Sequence, residues 1–482
     1  MAPPNFLLVT FPAQGHINPS LRFAERLIRI GSRVTFATAL SARRRMPDSQ
    51  SPPPEGLSFA TFSDGHDDGV IETGLNLELY MEEVNRRGSE TLRELILGNR
   101  ARGTDFTHVF FTTLIPWAAE VARSLGLRST LVWIQPATVF DIYYYYFHGY
   151  EEPIRSIADS ATTGDGGSRE ILLPGMLPMT SGYIPSFFAS KNQHGFSLPL
   201  MKRHFEILDC EQSGTVKPKV LVNTFEELEP QAVKAIEELD IIPVGPFIPS
   251  AFLSGQETAH TSLGGDLFQK AKDLDYNSWL SKQHTASVIY ISFGSFSLFS
   301  RPQKQEMAKA LIAVGRPFLW VIRKKMGEEE MDDEKTSYDE ELSKLGIIVP
   351  WCNQVEVLSN PSVGCFVTHC GWNSTSESLV CGVPMVAFPQ WSDQQTNSKL
   401  VEEVWRTGVL VEKANGEGVV EAEEIERFLQ MVLGDGEKGR ELRGNAKKLG
   451  ELAKKAAKDG GSSDNNLRQF IDGLVKETIS SE

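Results

Sequence analysis

The feature that most constrains this chain is a recurring alternation of short apolar runs, rich in strand formers, with stretches of helical periodicity. Asn5-Phe-Leu-Leu-Val-Thr-Phe11 is the first run; Pro-Ala-Gln-Gly-His follows, then a helical pattern through Leu21, Ala24, Leu27 and Ile28. Gly31 closes that helix, and residues 34–38 form the next buried strand. The alternation recurs at 108–114, 118–125 and 129–134, and 219–223 adds a further strand. Strand-helix-strand repeats with continuously apolar strands require a parallel sheet covered on both faces, which is an α/β fold.

A second series follows a Pro-, Gly- and Ser-rich stretch at 243–265 that has the composition of a connection between domains. It comprises strands at 287–292, 318–322 and 346–349 and a helix at 303–314. The expected organisation is an N-terminal domain at 1–242, a linker at 243–265, a second domain at 266–458 and a final helix at 459–482. Leu467, Phe470, Ile471, Leu474 and Val475 mark the face this helix must bury. The acidic run 328–341 reads as a solvated loop.

A length of 482 residues, with 41% hydrophobic and 23% charged residues, excludes wholesale disorder, collagen and coiled coil. A net charge of −15 argues against a chain built to grip nucleic acid or anionic lipid. The five cysteines are odd in number, and four lie between Cys352 and Cys381, so no disulfide framework is expected. With no basic leader and no apolar stretch of about twenty residues, no signal peptide and no membrane insertion are expected; the cysteine usage points to a cytoplasmic setting, and a monomer is expected.

The segment from Trp351 to Gln394 carries the chemistry. Residues 363–367 read as a buried strand, 368–373 as a turn, 374–381 as a short helix and 384–388 as the next strand. A helix therefore starts at the carboxyl end of a parallel strand, where α/β sheets bind ligands and where helix N–H groups attract an anion. Gly371 would let a backbone approach closely, and His369 would add a donor or a cation to a diphosphate. Plainer readings stand beside these. Ser374 and Glu377 have capping-box spacing, Trp351 fits an ordinary core aromatic, and His369 fits a satisfied buried histidine. Cys365, His369 and Cys370 lack a second paired set, so no metal site is expected.

Taken together, residues from Trp351 to Gln394 resemble the nucleotide-sugar box of plant secondary-product glycosyltransferases. Phe11-Pro-Ala-Gln-Gly-His-Ile-Asn-Pro19, Pro218-Lys-Val-Leu-Val-Asn-Thr-Phe225, Gly315-Arg-Pro-Phe-Leu-Trp-Val-Ile-Arg323 and Asp459-Gly-Gly-Ser-Ser463 are also similar to family segments. Asp141-Ile-Tyr-Tyr-Tyr-Tyr-Phe-His-Gly-Tyr150 and the segment from Gly245 to Leu253 look most like the branch holding anthocyanin 5-O-glucosyltransferases, flavonoid glucosyltransferases and enzymes that esterify crocetin or hormone carboxylates. The resemblance implies a GT-B fold, two Rossmann-like domains facing a cleft, with the acceptor bound by the N-terminal domain and the UDP-sugar by the C-terminal one. It implies that Trp351 stacks on uracil and the Cys352 backbone meets its edge, that Gln354 and Glu377 reach the ribose, and that Ser295, His369, Asn373 and Ser374 hold the diphosphate. Trp372, Asp393 and Gln394 would read the sugar, and Gly15 would lie on the donor side. Gln at the final position implies glucose. UDP-glucose is then a substrate, and no cofactor is required.

The same resemblance makes His16, just after the first strand, the general base for an inverting transfer; a histidine finishing a turn at a helix start is the alternative. The family pairs this histidine with an Asp in an Asp-x-x-x-Pro-Trp segment. Here Phe110-Phe-Thr-Thr-Leu-Ile-Pro-Trp117 places Thr112 at that position. Thr112 accepts a hydrogen bond but cannot neutralise imidazolium, so the base is weakened and acidic acceptors are favoured; Glu120 and Asp141 are candidates to substitute. Trp117, Trp133, Phe140 and the run 143–146, Tyr144 included, offer flat faces for an aromatic acceptor, and each fits a core equally well. The expected activity is an inverting O-glucosyltransferase acting on an acidic flavonoid or anthocyanidin hydroxyl. The alternatives are glucose-ester formation on an acid of the crocetin, abscisic acid or auxin type, and a catalytically silent UDP-sugar binder. The chain has no G-x-S-x-G elbow, and Gly15-His16 after the first strand is not a G-x-G-x-x-G turn.

Overall fold

The computed structural model describes residues 3–46, 53–69, 76–163, 169–191, 195–212, 216–250, 252, 275–295, 300–323, 338–411 and 418–480. The chain divides into two compact units, one formed by Met1–Leu267 with Lys455–Glu482 and the other by Phe268–Lys454. Of the expected linker, 251 and 253–265 lie outside the described residues, as do 328–337 of the acidic run. The described end of that run is not a loop: Asp339, Glu340 and Glu341 open the helix Asp339–Leu345, where acidic side chains meet the positive end of the helix dipole.

The first unit holds β1 (Asn5–Val9), β2 (Arg33–Ala39), β3 (Leu57–Phe62), β4 (His108–Thr112), β5 (Ser129–Trp133), β6 (Lys219–Val222) and β7 (Asp240–Pro243). They form one parallel sheet in the order β3-β2-β1-β4-β5-β6-β7. Phe6 of β1 lies in register with Val34 on one side and His108 on the other, so the central strand is paired along both edges and apolar along its length. The helix Gln14–Arg29 follows β1 and turns Ile17, Leu21, Ala24 and Leu27 onto the sheet, as the 3.6-residue period requires.

Phe6, Phe23 and Phe110 meet edge to face at 5.2 and 5.3 Å in the middle of this core. Leu467, Phe470 and Ile471 of the helix Ser462–Ser480 enter the same cluster, each stabilising it by about 1.5–3 kcal/mol on burial. Polar groups fasten that helix. Asn466 donates to the Pro243 carbonyl at 3.0 Å, and Asp464 accepts from the Gly460 N–H at 3.0 Å, Arg468 at 2.8 Å and Arg29 at 3.2 Å.

The second unit holds β8 (Val288–Ser292), β9 (Phe318–Val321), β10 (Gly346–Val349), β11 (Val363–Thr368), β12 (Met385–Ala387) and β13 (Gly408–Leu410) in the parallel order β10-β9-β8-β11-β12-β13. Both sheets wind outward from their first strand in one direction and then in the other. The winding reverses between β1 and β4 and between β8 and β11. At such switch points successive connections diverge and open a crevice at the carboxyl ends of the strands.

Candidate active site

At the first switch point, the chain leaves β1 and enters the helix Gln14–Arg29, which puts His16 in its first turn. The imidazole lies against Phe11 with ring centroids 5.3 Å apart, and Nδ1 is shut from solvent with no hydrogen-bond partner. Burial lowers its pKa to about 3, so the ring is neutral at physiological pH. Thr112, at the end of β4, does not reach the ring. Its buried hydroxyl lies 3.4 Å from that of Thr10, which lies 3.0 Å from Ser20 Oγ, and Ser20 donates to the His16 carbonyl at 2.7 Å. The hydroxyl chain therefore ends on the His16 backbone, and the expectation that Thr112 accepts from the imidazole is corrected.

Neither candidate substitute supplies a carboxylate either. Both Glu120 oxygens are taken by Arg203 at 2.7 Å. Asp141 is 0% exposed with neither oxygen hydrogen-bonded, and burial, reinforced by the nearby Glu229 carboxylate, pushes its pKa well above the ordinary range. It is a neutral acid near Glu229, which caps the helix Ala137–Tyr145, accepting from the Ala137 N–H at 3.0 Å and from the Thr138 N–H and hydroxyl at 2.9 and 2.7 Å.

At the second switch point, β11 ends at Thr368, whose hydroxyl accepts from the Cys370 N–H at 3.2 Å, and Cys370 adopts a left-handed φ of 59°. The helix that follows is Trp372–Cys381, starting two residues before expected, with Gly371 at its N-cap and no side chain capping it. The capping-box reading of Ser374 and Glu377 is thereby excluded, because Ser374 is already in the helix. Both instead turn to Gln354, whose Nε2 donates to Ser374 Oγ at 2.9 Å and to Glu377 Oε2 at 2.7 Å, while Tyr290 donates to Gln354 Oε1 at 3.3 Å. The Tyr290 hydroxyl also lies 3.4 Å from Cys352 Sγ.

The His369 ring sits between two glycines. A Cβ on Gly294 or on Gly371 would stand 2.6 Å from its Nε2, a distance real side chains do not show, and Gly294 also has a φ of 71°. Burial, aided by Arg323, lowers the His369 pKa to about 4, so the ring is neutral: of the two roles open in the sequence, donor or cation, only donor survives at neutral pH. Ser295 follows Gly294 beyond β8 and is half-buried, as are Trp351 and Asn373; Trp372 is buried against Trp405 with ring centroids 6.1 Å apart. Past β12, Gln394 Oε1 accepts from the Gln390 and Trp391 N–H groups at 2.8 and 3.2 Å, which fixes the sense of its amide. Asp393 precedes it and accepts from Asn397 at 2.8 Å.

The family described as UDP-glucoronosyl and UDP-glucosyl transferase matches residues 257–440. Over 477 residues the chain is 52% identical to a phloretin 4'-O-glucosyltransferase of Malus domestica, covering 97% of each chain. It is 51% identical over 473 residues to a chloroplastic crocetin glucosyltransferase of Gardenia jasminoides, covering 98% of this chain and 97% of that one. The solved structure of Os79 from O. sativa in complex with UDP is similar with a TM-score of 0.81 at 31% identity, over 97% of this chain and all of that one. This chain belongs to the UDP-glycosyltransferase family.

In this UDP-glycosyltransferase the two units are the Rossmann-like domains of a GT-B fold. Three acceptor-site expectations are corrected. Trp117 is 1% exposed, edge-on to Phe62 at 5.4 Å, and lies under Gly88, where a Cβ would stand 2.6 Å from its ring; it seats the helix Leu77–Ala101. Phe140 is buried between Trp133 and Phe205 at 5.2 and 5.1 Å. The run 143–146 is likewise buried, with Tyr144 stacked on His148 at 4.0 Å and Tyr143 and Tyr146 each 4.7 Å from Phe188. Two side chains that the sequence reading passes over, Tyr290 and Asn397, do reach the cluster. Asn397 has a legible signal, since it lies one helical turn after Asp393; Tyr290 has only its polar tip in an otherwise apolar strand. All five cysteines are free, and among the described residues no group of His, Cys, Asp and Glu is placed to hold a metal ion. No described helix is long and apolar enough to cross a membrane.

Proposed function

We propose that this transferase is an inverting UDP-glucose-dependent O-glucosyltransferase acting on an acidic hydroxyl of a small plant phenolic, of flavonoid or anthocyanidin type. The observation that carries the reading is the state of His16: an imidazole at a sheet switch point, kept neutral by burial and without a carboxylate on Nδ1. A neutral ring takes the acceptor proton as the acceptor oxygen attacks the anomeric carbon. The bond from that carbon to the UDP oxygen breaks, its electron pair leaves with UDP, and the single displacement converts an α-linked donor into a β-glucoside. Without a fixed carboxylate to stabilise the imidazolium, an acceptor that gives up its proton readily is favoured.

On the donor side, the N–H groups at the Gly371 end of the helix Trp372–Cys381, with Ser295, His369, Asn373 and Ser374, would hold the diphosphate and meet the charge on departing UDP. Gly15 would border the donor, Trp351 and the Cys352 backbone would take the uracil, and Gln354 and Glu377 the ribose. Trp372, Asp393 and Gln394 would read glucose; because Gln394 Oε1 is occupied by two backbone N–H groups, its amide nitrogen is the end left for a sugar hydroxyl. Five free cysteines and a net charge of −15 support a cytoplasmic setting.

Incubation with UDP-glucose and a panel of flavonoids, anthocyanidins, carboxylic acids and alkyl alcohols tests this, with products identified by mass spectrometry and NMR. Glucose appears on acidic phenols and is lost in His16→Ala. Equal rates on a simple alkyl alcohol would sink the acidic-acceptor reading, and no transfer at all would leave a silent binder. Ester formation on a carboxylic acid is the second reading, favoured by the 51% identity to a crocetin glucosyltransferase and by an acceptor that needs no base. Alkaline hydroxylamine separates the two, cleaving an acyl glucose and sparing a phenolic glucoside.

A further inference from the structure

Asn397 has no part in the scheme above, yet its amide joins two pieces of the donor site. It lies four residues after Asp393, and helical side chains lean toward the N-terminus, so its amide comes to rest over that carboxylate. Nδ2 donates to Asp393 Oδ2 at 2.8 Å and to the Cys370 carbonyl at 2.8 Å. Both amide hydrogens are thus used on two acceptors, while Oδ1 meets no donor, and the side chain is 0% exposed. A buried amide carbonyl left unsatisfied costs free energy, so what holds Asn397 in place is donation. Cys370 is the left-handed residue in the turn before the helix Trp372–Cys381, so one planar amide ties the Asp393 carboxylate to the anion-binding turn.

We propose that Asn397 is a positioning residue for sugar recognition: it holds the Asp393 carboxylate in register with the diphosphate turn, so that the carboxylate meets the sugar of a nucleotide already anchored by its phosphates. The inference rests on the reading of Asp393 as a sugar contact. Without the amide, the carboxylate loses a charge-assisted hydrogen bond and its fixed direction. The turn itself keeps the bond from the Cys370 N–H to Thr368 and the first helical bond from the Thr375 N–H to the Gly371 carbonyl at 3.0 Å. UDP alone therefore loses little, and UDP-glucose loses the gain its sugar provides.

The test uses the full chain and calorimetric binding of UDP and of UDP-glucose to wild type, Asn397→Ala, Asp393→Ala and the double variant, with transfer rates from UDP-glucose and UDP-galactose. Asn397→Ala is expected to keep UDP affinity within about threefold, weaken UDP-glucose about tenfold or more, and blunt the preference between the two sugars. The double variant should be no worse than Asp393→Ala, since the effect passes through that carboxylate. Asn397→Ser, which keeps one donor and disturbs the buried site less, should fall between. Equal weakening of UDP and UDP-glucose, or additive losses in the double variant, would overturn the proposal. Should Asp393→Ala leave UDP-glucose binding intact, the sugar-site reading itself falls and takes this inference with it. Should Asp393→Ala lose it while Asn397→Ala does not, only the positioning role falls.

Discussion

His16 opens the helix after β1 and Thr112 ends the adjacent β4 at one switch point, yet no bond joins the imidazole to the threonine, and this gap is the main departure from a histidine-acid pair. Thr112→Asp would bring a carboxylate to the Thr10 hydroxyl, at the switch point that holds His16. We expect it to keep activity on acidic phenols and to raise kcat/KM on weakly acidic alcohols several-fold; inactivation with an unchanged melting curve would show that Thr112 serves another purpose. Asp141 gives a prediction of opposite character. Its folded pKa lies above its unfolded one, so ionising it in the native state is costly, and that cost grows as pH rises above the unfolded value near 4. Asp141→Asn should stabilise the protein at pH 8 by about 1 kcal/mol or more, with the gain shrinking toward pH 4, as read from urea midpoints. Neither side chain's state is legible from its own sequence context: Asp141 sits in a tyrosine-rich helical pattern that a surface or a core would accept, and only the strands and helices folded around it remove its water.

Among the elements, the turn between β11 and the helix Trp372–Cys381 depends on glycine at two places from different strands. Gly371→Ala should displace His369 and weaken UDP binding about tenfold or more while costing little stability, measured by calorimetry beside a thermal melt. The sequence located this turn, the strand before it and the strand after it, because apolar runs and glycine carry their own periodic signature. It placed the helix start two residues late, since Ser374 and Glu377 satisfy a capping pattern locally and the partner they prefer, Gln354, arrives from another segment. The aromatic run 143–146 shows the same limit. Flat rings suit a pocket and a core alike, and which they occupy is settled by neighbours such as Phe188 and Phe205, far along the chain.

For the whole molecule, buried neutral histidines make acid the weak side of stability. His108 and His204 are buried with pKa values lowered to about 3 by desolvation, below their unfolded value of about 6.5. A depressed histidine contributes stability that is fully present above the unfolded pKa and lost as pH falls from there toward the folded one. Each should therefore remove up to about 1.4 kcal/mol per pH unit below pH 6, and unfolding midpoints should fall steeply between pH 6 and 4. His204→Phe should flatten that slope, since Phe keeps the stack on Phe111 at 5.9 Å and removes two ring nitrogens that have no partner. His16 stays neutral over the same range, so transfer should fail in acid with unfolding rather than before it.

The fold class, the two strand series and the strand-turn-helix order of the segment from Trp351 to Gln394 were determined by the sequence alone, because hydrophobic periodicity and glycine-bearing turns are properties of neighbouring residues. The tertiary structure decided the rest. It decided that His16 and His369 are neutral, that Thr112 faces a hydroxyl chain rather than an imidazole, that Trp117 and Phe140 are core, and that Asn397 links Asp393 to Cys370. Each of these depends on desolvation or on a partner brought from a distant segment, and neither exists until the sheets have assembled.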